Sequence, residues 1–430
     1  MLKTALRRSW RDGESVQFGV DPAHAVVLEP VDGPAAGFLD LLDGTRGTDT
    51  LTREAGALGL EPDRVRRLLG LLAEGGVLDD AAGHAALSAA VRHRAPLLDR
   101  LRPDLAALSV VHPGPGGAAR RMGRRRTARV RVHGAGRVGA QLATVLAAAG
   151  VGTVEVVDSG RVEPWDTAPG GIPAEQVGER RDAAGRGAVR RAAPEARRAG
   201  ACDRTGSRAR DGGGGGAAVT VIAPRDGLHA FAPDGDEARR LVAAGVPHLY
   251  AGVLEGTGVV GPLVLPGRTA CGQCVALRLA RQDAAWPRML AQLRSGRQPA
   301  VPACDIALAT TVAGLAAAHV LARLDGGTPP SAGARVELSL GRLTSRVVPL
   351  PPEPGCGCGS AREPARERDG VAARASAREP VHEAVHDTVR EVRHTPGHHA
   401  DQDDRDIALL RSSSDGPYPG PRRGRGTMAM

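Results

Sequence analysis

The spacing of apolar and polar residues changes at Gly134. Before it, RVRVHG alternates strictly, as a half-buried strand does; after it, GAQLATVLAAAG carries its apolar residues at helical spacing. TVEVVDSG alternates again, so this stretch predicts a βαβ unit, and VTVIAP at 219–224 predicts a further, fully buried strand. Upstream, VQFGV and AVVLEP predict short strands around a turn at Asp21-Pro22. Three helical patterns follow, from Pro34 to Leu42, Thr50 to Leu58 and Pro62 to Ala73. The last opens with Glu61-Pro62-Asp63 and stops at Gly75-Gly76. On it Val65, Leu68, Leu69 and Leu72 fall at helical spacing and predict a buried stripe. VLDD then predicts a returning strand. Short strands around helices in this order predict a winged-helix-like domain over residues 1–95, with a packing module that has no ligand of its own as the alternative.

The chain has 430 residues, room for two or three cores at about 150 residues each. Residues 96–126 read as a basic, solvated linker, with PGPGGAARRMGRRRTA closing it and running on to residue 128. A second domain is expected over 127–359, interrupted by the low-complexity RAGACDRTGSRARDGGGGG, which reads as a mobile loop. From Ser360 to residue 430 the chain is charged and rich in Pro and His, which predicts disorder. Within that tail Val381, Val385, Val389 and Val392 share one helical face, with His382 and His386 a turn apart. The net charge of +9 suggests acidic partners, yet Lys3 is the sole lysine and Arg, Ala and Gly dominate throughout. Aromatic residues make up 2%, too few to stack bases, so nucleic acid is not the favoured partner. No run of about 18 apolar residues indicates a membrane helix. MLKTALRRSWRDGES lacks the apolar centre of a signal peptide, so a cytoplasmic, reducing location is expected.

Chemistry gathers at two places. Gly134, Gly136 and Gly139 form a G-x-G-x-x-G turn between strand and helix, a pattern that brings backbone N–H groups and a helix N-terminus to a phosphate. Asp158 ends the second strand about 20 residues on, where an acid can bond a ribose hydroxyl. A retained fold with an empty pocket is the competing expectation. The second place is sulfur: Cys271-Gly-Gln-Cys274 and Cys356-Gly-Cys358 are two close pairs far apart in sequence, which suits a structural zinc site with four thiolates and no open position. Cys202 and Cys304 lack evident partners. Cys304 precedes a helical run, where a dipole can activate a thiol, although a plain buried cysteine accounts for it as well.

The glycine turn, Asp158 and the two cysteine pairs, with VPHLYAGVLEGTGVVGPLVLPGRTACGQC leading into the first knuckle, resemble the ThiF/MoeB and ubiquitin-activating superfamily over about residues 127–359. That resemblance implies an α/β fold: a Rossmann-like ThiF-type domain, here with an N-terminal winged-helix-like domain and a disordered C-terminal tail. It implies ATP as the nucleotide, used to adenylate a carrier's C-terminal carboxylate, and it allows a homodimer. CGQCVALRLARQDAAWPRMLAQL, the N-terminal domain and the terminal CGC resemble an actinobacterial ThiF-like branch associated with thiazole/oxazole-modified peptides. The partners this implies are a ribosomal precursor (leader) peptide and a YcaO-like cyclodehydratase.

The departures from the family pattern are specific. SGRVEPWDTAPGGI follows Asp158 in place of an Asn/Arg/Gln segment, and Arg161 is the nearest arginine. Gly178-Glu-Arg-Arg181 stands where a lysine is expected, so Arg181 keeps the charge without the ammonium geometry. Asp226, in PRDG, is the nearest candidate for the magnesium-binding acid. The favoured expectation is therefore a scaffold with a degenerate adenylation site that presents a precursor peptide to a cyclodehydratase. An extended peptide would add to the edge of the small sheet, with Arg64 and Arg67 on a flank of the third helix. The alternatives are an active adenylyltransferase with Arg181 and Asp226 as catalytic groups, and a winged-helix DNA-binding regulator. For the regulator, Asp63, Glu61 and Glu74 offset Arg64, Arg66 and Arg67, a poor charge balance for a major-groove helix.

Overall fold

The computed structural model describes residues 1–81, 95–194, 217–296, 301–360 and 408–411. Cys202, the low-complexity loop around it and the valine- and histidine-bearing stretch of the tail lie outside the described residues.

The N-terminal domain is a small antiparallel sheet on three helices. Strands β1 (Arg8–Trp10), β2 (Val16–Phe18) and β3 (Val26–Glu29) pair in sequence order. Helices α1 (Gly33–Leu41), α2 (Thr48–Ala57) and α3 (Pro62–Glu74) follow. The Asp32 side chain starts α1 by accepting from Ala35 N, and Pro34 fits the first turn because it needs no donor there. Val65, Leu68 and Leu72 are buried against Val16, Phe18, Leu28 and Phe38, with Leu69 half-buried beside them. Each large side chain so buried contributes about 1.5–3 kcal/mol. Two expectations change. VLDD makes only an isolated bridge, Leu78 to Leu2, and the Asp79 carboxylate accepts Gly116 N at 3.0 Å. The strand β1 was not expected: all three of its residues are exposed, so no alternation announces it.

The basic connector is helical. α4 (Ala95–Val111) and α5 (Gly117–Thr127) pack together through Leu101, Leu105 and Met122. Lys3 is 4% exposed, and its Nζ donates to Ser109 O (2.6 Å) and Pro113 O (2.8 Å), joining the first domain to this pair. The expectation of a solvated Arg120–Arg126 run fails at Arg125. Its guanidinium is buried and meets the Asp325 carboxylate side-on, Nε to Oδ1 at 2.9 Å and Nη2 to Oδ2 at 2.6 Å.

The second domain is a seven-stranded mixed sheet in the order β10 (Thr344–Pro349), β9 (Ala334–Ser339), β8 (Thr257–Val264), β7 (His248–Leu254), β6 (Val219–Ile222), β4 (Arg129–His133) and β5 (Thr153–Val157). β4 (Arg129–His133), α6 (Arg137–Ala148) and β5 (Thr153–Val157) form the expected βαβ unit. α7 (Arg181–Ala192) precedes β6 (Val219–Ile222), the VTVIAP strand, whose four residues are all buried. β4 therefore lies between β5 and β6, parallel to both, and the chain reverses its progress across the sheet there. Open parallel sheets bind ligands at the carboxyl ends of such strands.

Two short helices, α8 (Gly227–Phe231) and α9 (Gly235–Ala243), lead to β7 (His248–Leu254). β7 is parallel to β6 and antiparallel to β8 (Thr257–Val264), across a two-residue turn with positive φ at Glu255 and Gly256. α10 (Gly272–Gln282), α11 (Trp286–Ser295) and α12 (Ile306–Leu324) come next, then the hairpin β9 (Ala334–Ser339) and β10 (Thr344–Pro349). By length and composition α12 is apolar enough to cross a membrane. Here its buried residues, Leu308, Val312, Ala316 and Val320 among them, belong to the main core against the β4–β8 strands. A last strand, β11 (Ala408–Arg411), pairs antiparallel with β3, so this part of the tail is ordered contrary to expectation.

The Arg125–Asp325 pair ties α5 to the end of α12 across the back of the second domain. Arg125→Ala leaves a buried carboxylate unpaired and is expected to cost about 3–5 kcal/mol in denaturant unfolding. Arg125→Met with Asp325→Leu should recover most of that loss. If the single and double variants unfold alike, the pair is not what holds this junction.

Candidate functional site: the glycine turn and the sulfur cluster

The glycine turn sits where β4 ends, between β5 and β6. Gly134 has φ +110, and a Cβ there would lie 1.9 Å from Ala223 O at the end of β6. A Cβ on Gly139 would lie 2.1 Å from Gly134 O. Both glycines are therefore required by backbone packing. Gly136 differs: the nearest atoms to its Cβ position are those of Arg225, at 3.4 Å. Asp158 lies beside the turn as expected and accepts Ala135 N through Oδ2 at 2.6 Å.

Its other oxygen is also taken. Arg181 Nε donates to Asp158 Oδ1 at 3.0 Å, while Nη1 reaches Arg161 O (2.7 Å) and Nη2 reaches Ser159 O (2.5 Å). Arg181 Nη1 also stands 3.6 Å from Asp166, and Arg225 Nε donates to Asp166 Oδ1 at 2.7 Å. Asp166 is 1% exposed and was not singled out from sequence; its partners come from loops that only the fold brings near. The Arg225 guanidinium lies 5.6 Å from the Trp165 ring centre. A cavity lined by Gly136, Arg137, Trp165, Asp166, Arg225 and Cys304 holds about 20 Å³, enough for one water.

Asp226 stands outside this chain of contacts. It caps α8 by accepting Leu228 N at 2.9 Å, and its other oxygen is 3.2 Å from His229 Nδ1, a contact that holds the carboxyl below its usual range. Cys304 is half-buried, and burial pushes its thiol pKa up; Asp305, not Cys304, caps α12. Those features match a plain core cysteine. Lys3, the sole lysine, is held on the carbonyls of α4 and the loop after it.

The four paired cysteines converge. Cys271 is the N-cap of α10, Cys274 lies in its first turn, and Cys356 and Cys358 arrive on the loop after β10. The sulfurs are 3.9 Å (271–274), 3.6 Å (271–356) and 3.7 Å (274–358) apart, and all four lie within 4.8 Å of one another. This set can hold a metal ion. Glu353 N points at Cys274 Sγ at 3.5 Å. The hydrogen bond from Cys271 lowers the pKa of Cys274 and raises that of Cys271 in return, while burial raises that of Cys356.

A strand, a glycine turn over its end, an acid after the next strand and a four-sulfur cluster late in the domain are now in place. The ThiF family model matches residues 117–359, more than half of the chain. The chain belongs to the ThiF family. No curated protein sequence matches it. Among solved structures it is similar to E. coli MccB with selenomethionine MccA, at 16% identity and TM-score 0.58, covering 84% of this chain and 98% of that one. E. coli MccB with ATP gives 16% identity and TM-score 0.59 over 84% and 98%. PaaA gives 15% and 0.54 over 82% and 100%. At these identities the likeness speaks for the fold alone. Around Asp158 the chain places an arginine network of its own residues, Arg181 on Asp158 and Asp166 and Arg225 on Asp166.

The glycines predict a split. Gly134→Ala and Gly139→Ala each drive a Cβ into backbone and should lower the melting temperature of the ThiF domain sharply or prevent folding. Gly136→Ala meets only the stem of Arg225 and should shift melting little. Thermal unfolding of the three variants checks this; three equal losses would contradict it.

Proposed function

We propose that this ThiF-family chain is a peptide-binding scaffold that captures a ribosomal precursor peptide on its N-terminal domain and presents it to a separate cyclodehydratase, with its adenylation site closed. The observation that carries the reading is the fourth strand on the small sheet: β3 already accepts an extended segment along its free edge. Main-chain pairing of that kind gives affinity to any extended peptide, and the adjoining helix supplies selectivity. A solved relative in fold, the microcin C7 biosynthetic enzyme MccB, is in complex with N-formylated MccA, which is in keeping with a peptide partner here.

The glycine turn supports the second half of the proposal. Nucleotide-sized ligands need hundreds of Å³, against about 20 Å³ beside Gly136. Asp158, placed for a ribose, spends both oxygens on Ala135 N and Arg181. Arg181 is thereby committed to carboxylates and carbonyls, and Asp226 to a helix cap. These engagements support a closed adenylation site over triphosphate binding. The regulator reading gains nothing from α3: Arg64 pairs with Asp32 at 2.8 Å, and Arg66 with Asp63.

We assign the sulfur cluster to structural zinc. Zn–S bonds of about 2.3 Å require sulfur–sulfur edges of about 3.8 Å in a tetrahedron, and the three contacts above span 3.6–3.9 Å. Zinc would hold all four thiols as thiolates and lock the end of the domain onto α10. The thiols must stay reduced for this, which accords with a cytoplasmic location.

Three measurements test the proposal. ATP–pyrophosphate exchange is expected to stay at background with a candidate carrier or peptide present; robust exchange abolished by Asp158→Ala would make the chain an adenylyltransferase instead. Elemental analysis should find one zinc per chain, and Cys271→Ser with Cys274→Ser should remove it and lower the melting temperature; fully folded protein free of zinc would refute the assignment. The full-length chain should bind a synthetic leader of a precursor peptide encoded beside it, by fluorescence polarisation. N-methylation of alternate backbone nitrogens of that peptide should weaken binding by at least about tenfold, because the ladder loses its donors. Absence of binding would end the capture reading.

A further inference from the structure

The strand that occupies the β3 edge belongs to the chain's own C-terminal segment, and this has a consequence for any peptide that would use the same edge. β11 pairs antiparallel along the whole of β3: Ala408 opposite Glu29, Leu409 opposite Leu28, Leu410 opposite Val27, and Arg411 opposite Val26. β2 takes the other edge of β3 with Val16 opposite Leu28. β11 also lies beside α3, so it fills the strip between the third strand and the third helix. No second open edge of β3 is left.

The pairing is limited to four residues. So short a ladder covers the unpaired N–H and C=O groups of an edge strand with few backbone hydrogen bonds to break. Val16, Phe18, Val26, Leu28, Phe38, Leu68 and Leu72 pack together among described residues of the first domain. The segment is the only stretch after Ser360 to run four apolar residues together, Ile407 to Leu410, in a tail otherwise dense in charge, Gly and Pro. The tether begins at a fixed point, since Ser360 Oγ donates to Thr269 O at 2.7 Å beside the sulfur cluster. Roughly 50 residues of chain then separate Ser360 from the strand, enough to span ~150 Å when extended. A tether of that length presents its end at an effective concentration on the order of 0.1–1 mM.

We propose that Ala408–Arg411 is a displaceable resident of the β3 edge, so that the chain's own tail competes in cis with an incoming extended peptide. This rests on the peptide-capture reading above for its biological use, though the self-pairing itself does not. With an intrinsic dissociation constant ten times below the effective concentration, the tail occupies the edge about nine-tenths of the time and raises a competitor's apparent Kd about tenfold. A partner peptide must therefore exceed the tail in affinity or in local concentration, and whatever draws the tail away opens the edge.

The test compares two full-length proteins, wild type and Leu409→Pro/Leu410→Pro, the second lacking two backbone donors in the strand. Hydrogen exchange should show the outward-facing amides of Val26–Glu29 at least about tenfold faster in the variant, with the amides of α6 unchanged. A fluorescent synthetic peptide of residues 401–416 of this chain should bind the variant at least about tenfold more tightly than wild type. Equal exchange, or equal affinity for this peptide, overturns the proposal. Both shifts together with no binding of a precursor leader by either protein would uphold self-occupation of the edge and remove the capture reading instead.

Discussion

Three backbones meet at the end of β4 more closely than any side chain permits. The first residue of the turn, Gly134, lies against Ala223 O, and Gly139 on the first turn of α6 lies against Gly134 O. Positive φ at Gly134 points the chain from strand to helix at that spot. With β4 and β6 brought together in this way, the loops after β5 and β6 converge on one crevice, and Asp158, Asp166, Arg181 and Arg225 come within contact of one another. The site is a by-product of a packing constraint, and its contents are decided by which side chains those loops carry.

Those side chains are arginines, and guanidinium chemistry explains much of the molecule. A planar fork can satisfy a carboxylate and two carbonyls at once, as Arg181 does with Asp158, Arg161 O and Ser159 O. A lysine ammonium at the same place would present one compact charge and leave the pocket more open. The same fork geometry makes Arg125 suitable for a buried pair with Asp325, where each acceptor oxygen receives its own donor. In this ThiF-family chain, arginine thus serves as an internal strut in the crevice and between helices. The basic composition consequently says less about outside partners than its net charge suggests.

The two ends of the described chain are fastened by different chemistry. Sulfur gathers the loop after β10 onto α10, a contact between residues over eighty positions apart. Backbone pairing brings the tail segment to β3, at the opposite end of the sequence. A four-sulfur set that can hold a metal ion makes a closed, specific junction, whereas four residues of antiparallel ladder form one that other extended chains can imitate. The first suits permanent architecture and the second suits exchange.

Much of this was readable from local pattern. Period-2 and period-3.6 apolar spacing located β4, α6, β5, β6 and the three N-terminal helices, because one buried face imposes its repeat on the residues themselves. The glycines, Asp158 and the cysteine pairs were equally plain, since a backbone close approach or a thiolate set admits few residue types. The helix α5 was missed: GAARRMGRRRT looks solvated until Asp325, two hundred positions away, is placed against Arg125. Asp166 and Arg225 carried no local signal for the same reason. The strand β11 lies in a segment whose composition predicts disorder, and only the free edge of β3 makes it a strand. Sequence determined the elements whose partners are their own neighbours; tertiary structure decided every contact whose energy depends on a distant group being brought near.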